Sequence, residues 1–427
     1  MDEADSIWEE SDDIFLYWKL HEIPFSESIS TLNLPQLREV FTGRKNELRE
    51  VFNLFRGRER KRILIYGWAG IGKTAFILEV LDVLHRKTEN TLTAYISLPP
   101  ETDLATAALI ALAREMENDE WAQQQLNQMG LRPRKPIYIR KGKVKVGFPI
   151  AGGEIEEEPA SIVSPQFPTL CFEDLLERAL DKHKRVVIAI DDLDKQDPAR
   201  ARQLLHDAQG MLKGQAWFIL TGHPFGLTRD ILLRERGLFD LTLKLEELDQ
   251  PTTRRMLVNY LNSARIKSIH YDFDDLYAFH PFTQETACTL CERSMGVPRW
   301  LNRLGCYVLL RAAKLQAETI TLDVLRQGFD YADEQLRGQP GLTPEDYYVL
   351  NLVLEKGILS DASITLTDLE RVRAKEFSEI LPVLEKLVTL DLVRRLPTER
   401  ATEYKPTPIL LGKHEKYENN TTGDNST

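Results

Sequence analysis

Cysteine is scarce in this chain: Cys171, Cys288, Cys291 and Cys306 are the only four thiols in 427 residues. Thiols so few and so scattered exclude a disulfide framework and suit a reducing compartment. Only Cys288 and Cys291 form a CxxC, and with no second pair at ligand spacing they read as small residues on a helix rather than as half of a zinc site. Long apolar runs are missing too. Those present, such as Val186 to Ile190, fall far short of the roughly 20 residues that cross a bilayer, so no membrane span is expected. The opening Met1-Asp2-Glu3-Ala4-Asp5 has neither the basic nor the apolar part of a secretory signal, and the expected location is cytoplasmic. Positive charge is in deficit, with 55 Lys and Arg against 66 Asp and Glu and a net charge of −11. That balance argues against a protein coated in nucleic acid, whose binding depends on clustered cations. Local basic stretches remain at Arg56 to Arg62 and Arg132 to Lys145, the second followed by the acidic run Glu154 to Glu158.

What the chain does have is 42% apolar residues, enough to give each of two or three domains a packed core. Residues 1–40 form an N-terminal segment, acidic and aromatic in its first half. Short apolar runs at Ile63 to Tyr66, Ala94 to Leu98, Val186 to Ile190 and Trp217 to Thr221 are separated by helical stretches. They predict an α/β fold, a parallel sheet covered by helices on both faces, with ligands at the carboxyl ends of the strands. This core is assigned to residues 41–248. Inside it, Pro136 to Phe148 alternates with period two around Lys141-Gly142 and predicts a β-hairpin insertion within 130–165. Residues 249–338 are helical throughout, punctuated by Pro251, Gly296-Val297-Pro298 and Gly338, and form a helical lid. Residues 339–412 read as three helical stretches and then strand, turn and strand, the order of a winged helix-turn-helix. The polar tail 413–427 has nothing to pack and is expected to be disordered.

Gly67-Trp68-Ala69-Gly70-Ile71-Gly72-Lys73-Thr74 fits GxxxxGK[ST] between a predicted strand and a predicted helix. The glycines let backbone N–H groups from Gly67 to Gly72, with Gly70 and Ile71 between them, wrap a β-phosphate. Lys73 places a charge on the β- and γ-phosphates and the Thr74 hydroxyl ligates Mg²⁺, so ATP with Mg²⁺ is the expected ligand. The second half of the site is Val186 to Asp192, a buried strand delivering two carboxylates. Asp191 is expected to hold Mg²⁺ through water. Asp192 is expected to orient or deprotonate the attacking water, a role for which many related enzymes use the longer Glu, so slow hydrolysis is expected. Asp194 fits a helix cap better than a base. Thr221 ends its strand either as a sensor of the γ-phosphate or as a structural residue. On the lid, Pro298 opens a helix and sets Arg299 where a guanidinium would reach over the phosphates and couple lid angle to nucleotide.

Phe41-Thr42-Gly43-Arg44-Lys45-Asn46-Glu47-Leu48 resembles the FxGRxxEL box of the origin-recognition/STAND branch of AAA+ ATPases, and the resemblance extends from roughly Trp18 to Ala313. It implies that Phe41 and Arg44 sit near the adenine. Tyr17 to Phe25, Leu220 to Pro224 and Ser294 to Leu304 are similar to ExeA-type secretion ATPases and TniB/TnsC-type transposon ATPases. The resemblance further implies an ATP-dependent homo-oligomer, a ring or filament in which an arginine finger completes the neighbouring site. Arg236, or else Arg234, fills that position only with a shift along the chain. The sensor strand also departs from the STAND pattern, ending in Thr221-Gly222 where Thr-Arg is common.

Outside the core, the third C-terminal helix presents Glu376, Glu379 and Glu385 against Lys386, which is unfriendly to a phosphate-lined groove. The wing holds Arg394, Arg395, Arg400 and Lys405 and leaves DNA backbone contact open, while a docked protein partner is the first expectation for this domain. Alternation in the hairpin puts Lys141, Lys143 and Lys145 on one face, to meet double-stranded DNA or the acidic run Glu154 to Glu158. The expected function is an ATP-switched, self-assembling protein that marks DNA or recruits a DNA-processing partner. The alternative is a STAND-like signalling or defence switch that gathers proteins without nucleic acid. An ExeA-like envelope assembly factor would want a membrane segment and a wall-binding module that the sequence does not show.

Overall fold

The computed structural model describes residues 14–25, 34–57, 59–68, 70–99, 101–131, 165–193, 198–222, 237–267, 269–337, 343–390, 392–397 and 401–407. It divides into two compact units. One is Ile29–Glu246, and the other joins Met1–Ser28 to Glu247–Thr427.

The first unit runs α1 (Leu34–Val40), α2 (Lys45–Phe55), β1 (Arg62–Tyr66), α3 (Lys73–Lys87), β2 (Thr91–Ser97), α4 (Leu104–Glu115), α5 (Glu120–Gln128), α6 (Pro168–Lys182), β3 (Arg185–Asp191), α7 (Pro198–Asp207), α8 (Gln209–Leu212), β4 (Trp217–Gly222) and β5 (Leu241–Lys244). The five strands are parallel in the order β2-β3-β4-β1-β5. The inner strands β3 and β4 are buried almost residue for residue, as expected of strands covered on both faces. At the edges the pattern thins: β5 buries only Leu243, and β2 sends Leu92, Ala94 and Ile96 into the core cluster shared with α4 and α6. Helix α4 is apolar on all sides from Leu104 to Ala113, hence its central place, and Asp103 caps it by accepting the Thr106 amide at 2.8 Å. Because β4 lies between β1 and β3, its last residues stand between the P-loop and Asp191. The expected α/β core is therefore present, with β5 and an earlier start of β2 added to the strands read from sequence.

The second unit holds α9 (Gln250–Ser263), α10 (Gln284–Ser294), α11 (Pro298–Lys314), α12 (Leu322–Arg337), α13 (Pro344–Lys356), α14 (Leu366–Arg371) and α15 (Phe377–Thr389), then the antiparallel pair β6 (Val393–Pro397) and β7 (Thr402–Pro406). Reciprocal capping boxes start three of these helices, at Thr283 with Thr286, Thr343 with Asp346 and Thr365 with Asp368. Leu359 exchanges both backbone hydrogen bonds with Tyr404, at 2.8 and 2.7 Å, and so adds a short third rung to the ribbon. Between α10 and α11 the chain turns through left-handed Met295 and Gly296. A side chain at Gly296 would place its Cβ 2.0 Å from the carbonyl oxygen of Leu248, whose amide donates to Gly296 O at 2.9 Å.

The N-terminal stretch belongs to this second unit. Trp18 is fully buried, with its indole N–H donating to Ala317 O at 3.0 Å and Glu318 O at 3.2 Å. Leu20 bridges Arg265, and the Phe25 ring fills the space left by Gly305, where a Cβ would meet it at 2.5 Å. Residues 14–25 thus build one unit with residues from 247 onward, and the sheet-bearing segment lies between the two in sequence. Among the described residues no helix is long and apolar enough to cross a membrane.

Candidate nucleotide-binding site

β1 ends at Tyr66 and α3 begins at Lys73, so the P-loop is the turn that reverses strand into helix. Gly70 (φ 75°) and Gly72 (φ 95°) take left-handed backbone that a side chain would strain. Gly67 lacks room instead: a Cβ there would lie 2.7 Å from Leu245 O. Gly72 is also the N-cap of α3 and brings no side-chain acceptor, leaving the helix's first amides for an anion. Lys73 is buried and its ammonium donates to Gly67 O at 3.0 Å and Trp68 O at 3.3 Å. Arg44 caps α2 in left-handed backbone, donates to Ile71 O at 3.2 Å and pairs with Glu47 at 3.4 Å. Through that bond the Phe41 to Leu48 box braces the P-loop turn directly. The Phe41 ring lies 6.5 Å from Phe76.

Asp191 is the centre of the polar cluster at the strand ends. Its Oδ2 accepts Thr74 Oγ1 at 2.5 Å and the Tyr95 hydroxyl at 3.1 Å. Its Oδ1 accepts Thr221 Oγ1 at 2.6 Å and the Asp192 amide at 2.9 Å, and that same amide lies 3.0 Å from Thr221 Oγ1. Burial pushes the Asp191 carboxyl up and the charge of Asp192 adds to this, against the hydrogen bonds from Thr221, Thr74 and the Asp192 amide. Burial and the Asp191 charge likewise push the Tyr95 phenol up, so it remains a donor. Asp192 is half-buried, stands in left-handed backbone (φ 63°) and accepts the Ser97 hydroxyl at 2.6 Å. A hydroxyl and a carboxylate in contact, beside an open helix N-terminus and a lysine, are the hard-oxygen donor set that suits Mg²⁺ with a phosphate.

The fold thus brings together Gly67, Gly70, Ile71, Gly72, Lys73, Thr74, Asp191, Asp192 and Thr221, with Arg44 beside them. Pro298 is the first residue of α11 in the other unit and Arg299 follows it, half-buried. Arg236, Lys141, Lys143 and Lys145 lie outside the described residues, as do Arg234, Asp194 and Arg400. Tyr95 and Ser97 belong to no motif, although the strand pattern carries a signal. Alternation from Thr91 sets Thr93, Tyr95 and Ser97 on the face opposite Leu92, Ala94 and Ile96, and β2 pairs with β3 so that Ser97 stands opposite Asp191.

Among the described residues, the wing cations and Lys386 on the helix before them have carboxylate partners within the protein. Arg394 packs its guanidinium 4.3 Å from the ring centre of buried Trp300 and pairs with Glu247 at 3.4 Å. Arg395 pairs with Glu385 at 3.1 Å, Lys405 with Glu403 at 3.4 Å and Lys386 with Asp346 at 2.5 Å. Charge counts along the chain miss the pairs of Arg394 and Lys386, whose partners lie 147 and 40 positions away.

Residues 40–212 match the AAA ATPase domain family. No curated protein matches the chain. Among solved structures it is similar to the ORC1 protein of Aeropyrum pernix, determined in complex with DNA, at 16% identity over 90% of this chain and 96% of that one, with a TM-score of 0.49. It is also similar to the RuvB Holliday junction branch migration motor of Thermotoga maritima, at 14% identity over 95% and 100%, TM-score 0.44. Cdc6p of Pyrobaculum aerophilum follows at 13% identity over 95% and 98%, TM-score 0.41. The five-stranded parallel sheet with its P-loop is a P-loop NTPase core.

Proposed function

We propose that this protein is an ATP-binding, slowly hydrolysing switch that assembles with itself when ATP is bound and marks DNA or recruits a DNA-processing partner. The observation that carries the nucleotide reading is the 2.5 Å contact of Thr74 with Asp191 beside Lys73 and the glycine-opened start of α3. The loop amides and Lys73 would bind the phosphates, Thr74 would hold Mg²⁺ directly and Asp191 through water, and Arg44 keeps the loop shaped on the adenine side with Phe41. Bound there, Mg²⁺ supplies charge neutralisation on the phosphates. Asp192, steadied by Ser97, orients water and accepts its proton, and Thr221 fixes the backbone between the two aspartates. Arg299 reports nucleotide to the helical unit and Arg236 serves a neighbouring copy. Calorimetry on Lys73→Ala tests the site: ATP binding is lost from a folded protein, whereas undiminished affinity would reject the assignment.

The C-terminal module, read as a winged helix, favours a protein partner over a DNA reader, because Arg394, Arg395 and Lys386 are committed to Glu247, Glu385 and Asp346. This supports the second reading, a signalling switch that gathers proteins. DNA marking then depends on Lys141, Lys143 and Lys145. Duplex DNA shifted at low salt by the wild type with ATP, and not after charge reversal at these lysines, supports DNA marking. No shift by the wild type leaves the signalling reading.

A further inference from the structure

The Asp191 carboxylate is held by more donors than the P-loop supplies. Thr221 and the Asp192 amide fix Oδ1, at 2.6 and 2.9 Å, while Thr74 and Tyr95 share Oδ2. Thr74 has two duties once a metal is present, since a hydroxyl that turns a lone pair to a cation is constrained in where it sends its proton. Tyr95 has one duty. It lies opposite Ala189 in the β2–β3 register, two residues before the Ser97–Asp191 pair. Two residues along a strand is about 6.6 Å, so only a long side chain leaning along β2 reaches Asp191 from there. The phenol does so and presents a neutral donor without adding a charge to the site. Serine or threonine would fall short, and lysine would compete with the cation.

Resting on the nucleotide reading above, we infer that Tyr95 is a positioning residue whose hydroxyl presets the Asp191 carboxylate for Mg²⁺. Its oxygen is more than 3 Å from Asp191 and stands behind the carboxylate that would hold the metal through water, where such bonds set orientation and basicity.

The test is Tyr95→Phe in the full chain, which removes one oxygen and keeps the ring. ATP affinity is measured by calorimetry with Mg²⁺ and in EDTA, and turnover is followed across a Mg²⁺ titration. The expected result is unchanged affinity in EDTA, with a Mg²⁺ concentration for half-maximal turnover raised about tenfold, the lower end of the cost of losing a partner of a metal ligand. The gain in ATP affinity from Mg²⁺ shrinks in parallel. A structural residue would instead weaken ATP equally with and without metal, or lower only the melting temperature, and either result overturns the proposal. So does an unchanged Mg²⁺ dependence in a wild-type-like fold. If wild-type protein itself binds no ATP, the nucleotide reading fails and Tyr95 falls with it. If wild type responds to Mg²⁺ and Tyr95→Phe responds identically, only Tyr95 is rejected.

Discussion

Arg394→Met separates a structural cation from a DNA-binding one. Methionine keeps much of the apolar stem and removes the guanidinium from the face of Trp300, which is fully buried and 4.3 Å from it. A cation desolvated against an indole contributes about 2 kcal/mol. The ion pair with Glu247 adds little, since that carboxylate is 37% exposed at 3.4 Å, and screened pairs of this kind are worth about a few tenths of a kcal/mol. The expected loss in urea unfolding of the 247–407 region is therefore about 2 kcal/mol, nearly all of it from the ring contact. A double-mutant cycle with Glu247→Gln should return a coupling under about 0.5 kcal/mol. Hydrogen exchange should localise the loosening to β6 and the first turns of α11. A variant as stable as wild type that loses affinity for duplex DNA would refute this reasoning, for it would make Arg394 a cation presented to phosphate.

Asp192→Asn keeps the metal ligands and removes the proton acceptor, so Mg·ATP binding persists while turnover falls at least about 100-fold. Light scattering should then show an ATP-held assembly, and no gain in mass would count against a switch. Gly296→Ala forces both a left-handed alanine and a clash with Leu248 O, so the second unit should lose more than about 1 kcal/mol in thermal unfolding. A melting point equal to wild type would show that the close approach is absent in solution. Burial, helped by Glu117, pushes the Glu115 carboxyl up to about 7. The folded state then keeps a proton that the unfolded chain releases above about pH 4.3, so stability declines as pH rises from there to about 7. Glu115→Gln should abolish that decline and gain on the order of 1–2 kcal/mol at pH 8, allowing for residual solvent contact. Parallel pH–stability curves for the two proteins would rule it out.

The P-loop and Asp191 were legible because both signals are local: eight consecutive residues between strand and helix, and an apolar run ending in two carboxylates. Tyr95 and Ser97 were not, since their importance comes from β2 lying next to β3, a fact of sheet order that no short window contains. β5 is illegible in the sequence for a different reason. Four residues with a single buried side chain carry too little pattern to distinguish an edge strand from a turn. The order of helices and strands after residue 339 follows from period and capping residues, whereas the fate of its charges depends on partners such as Glu247, nearly 150 positions away from Arg394. Resemblance implies that the Phe41 to Leu48 box lies near the nucleotide, and the bond from Arg44 to Ile71 O adds a role in bracing the loop.

The joining of residues 14–25 to residues about 250–300 positions further on bears on the order in which the protein can form. Synthesis delivers Trp18, Leu20 and Phe25 first, but the carbonyls of Ala317 and Glu318 and the notch at Gly305 arrive about 300 residues later. In between, the inserted sheet is contiguous in sequence and can close by itself, while the apolar face of the first segment waits without its socket. Trimming residues 1–28 should therefore leave the P-loop core able to fold and strike instead at the helical unit, opening the place that Trp18 fills. A deletion there would be felt about 300 positions along the chain.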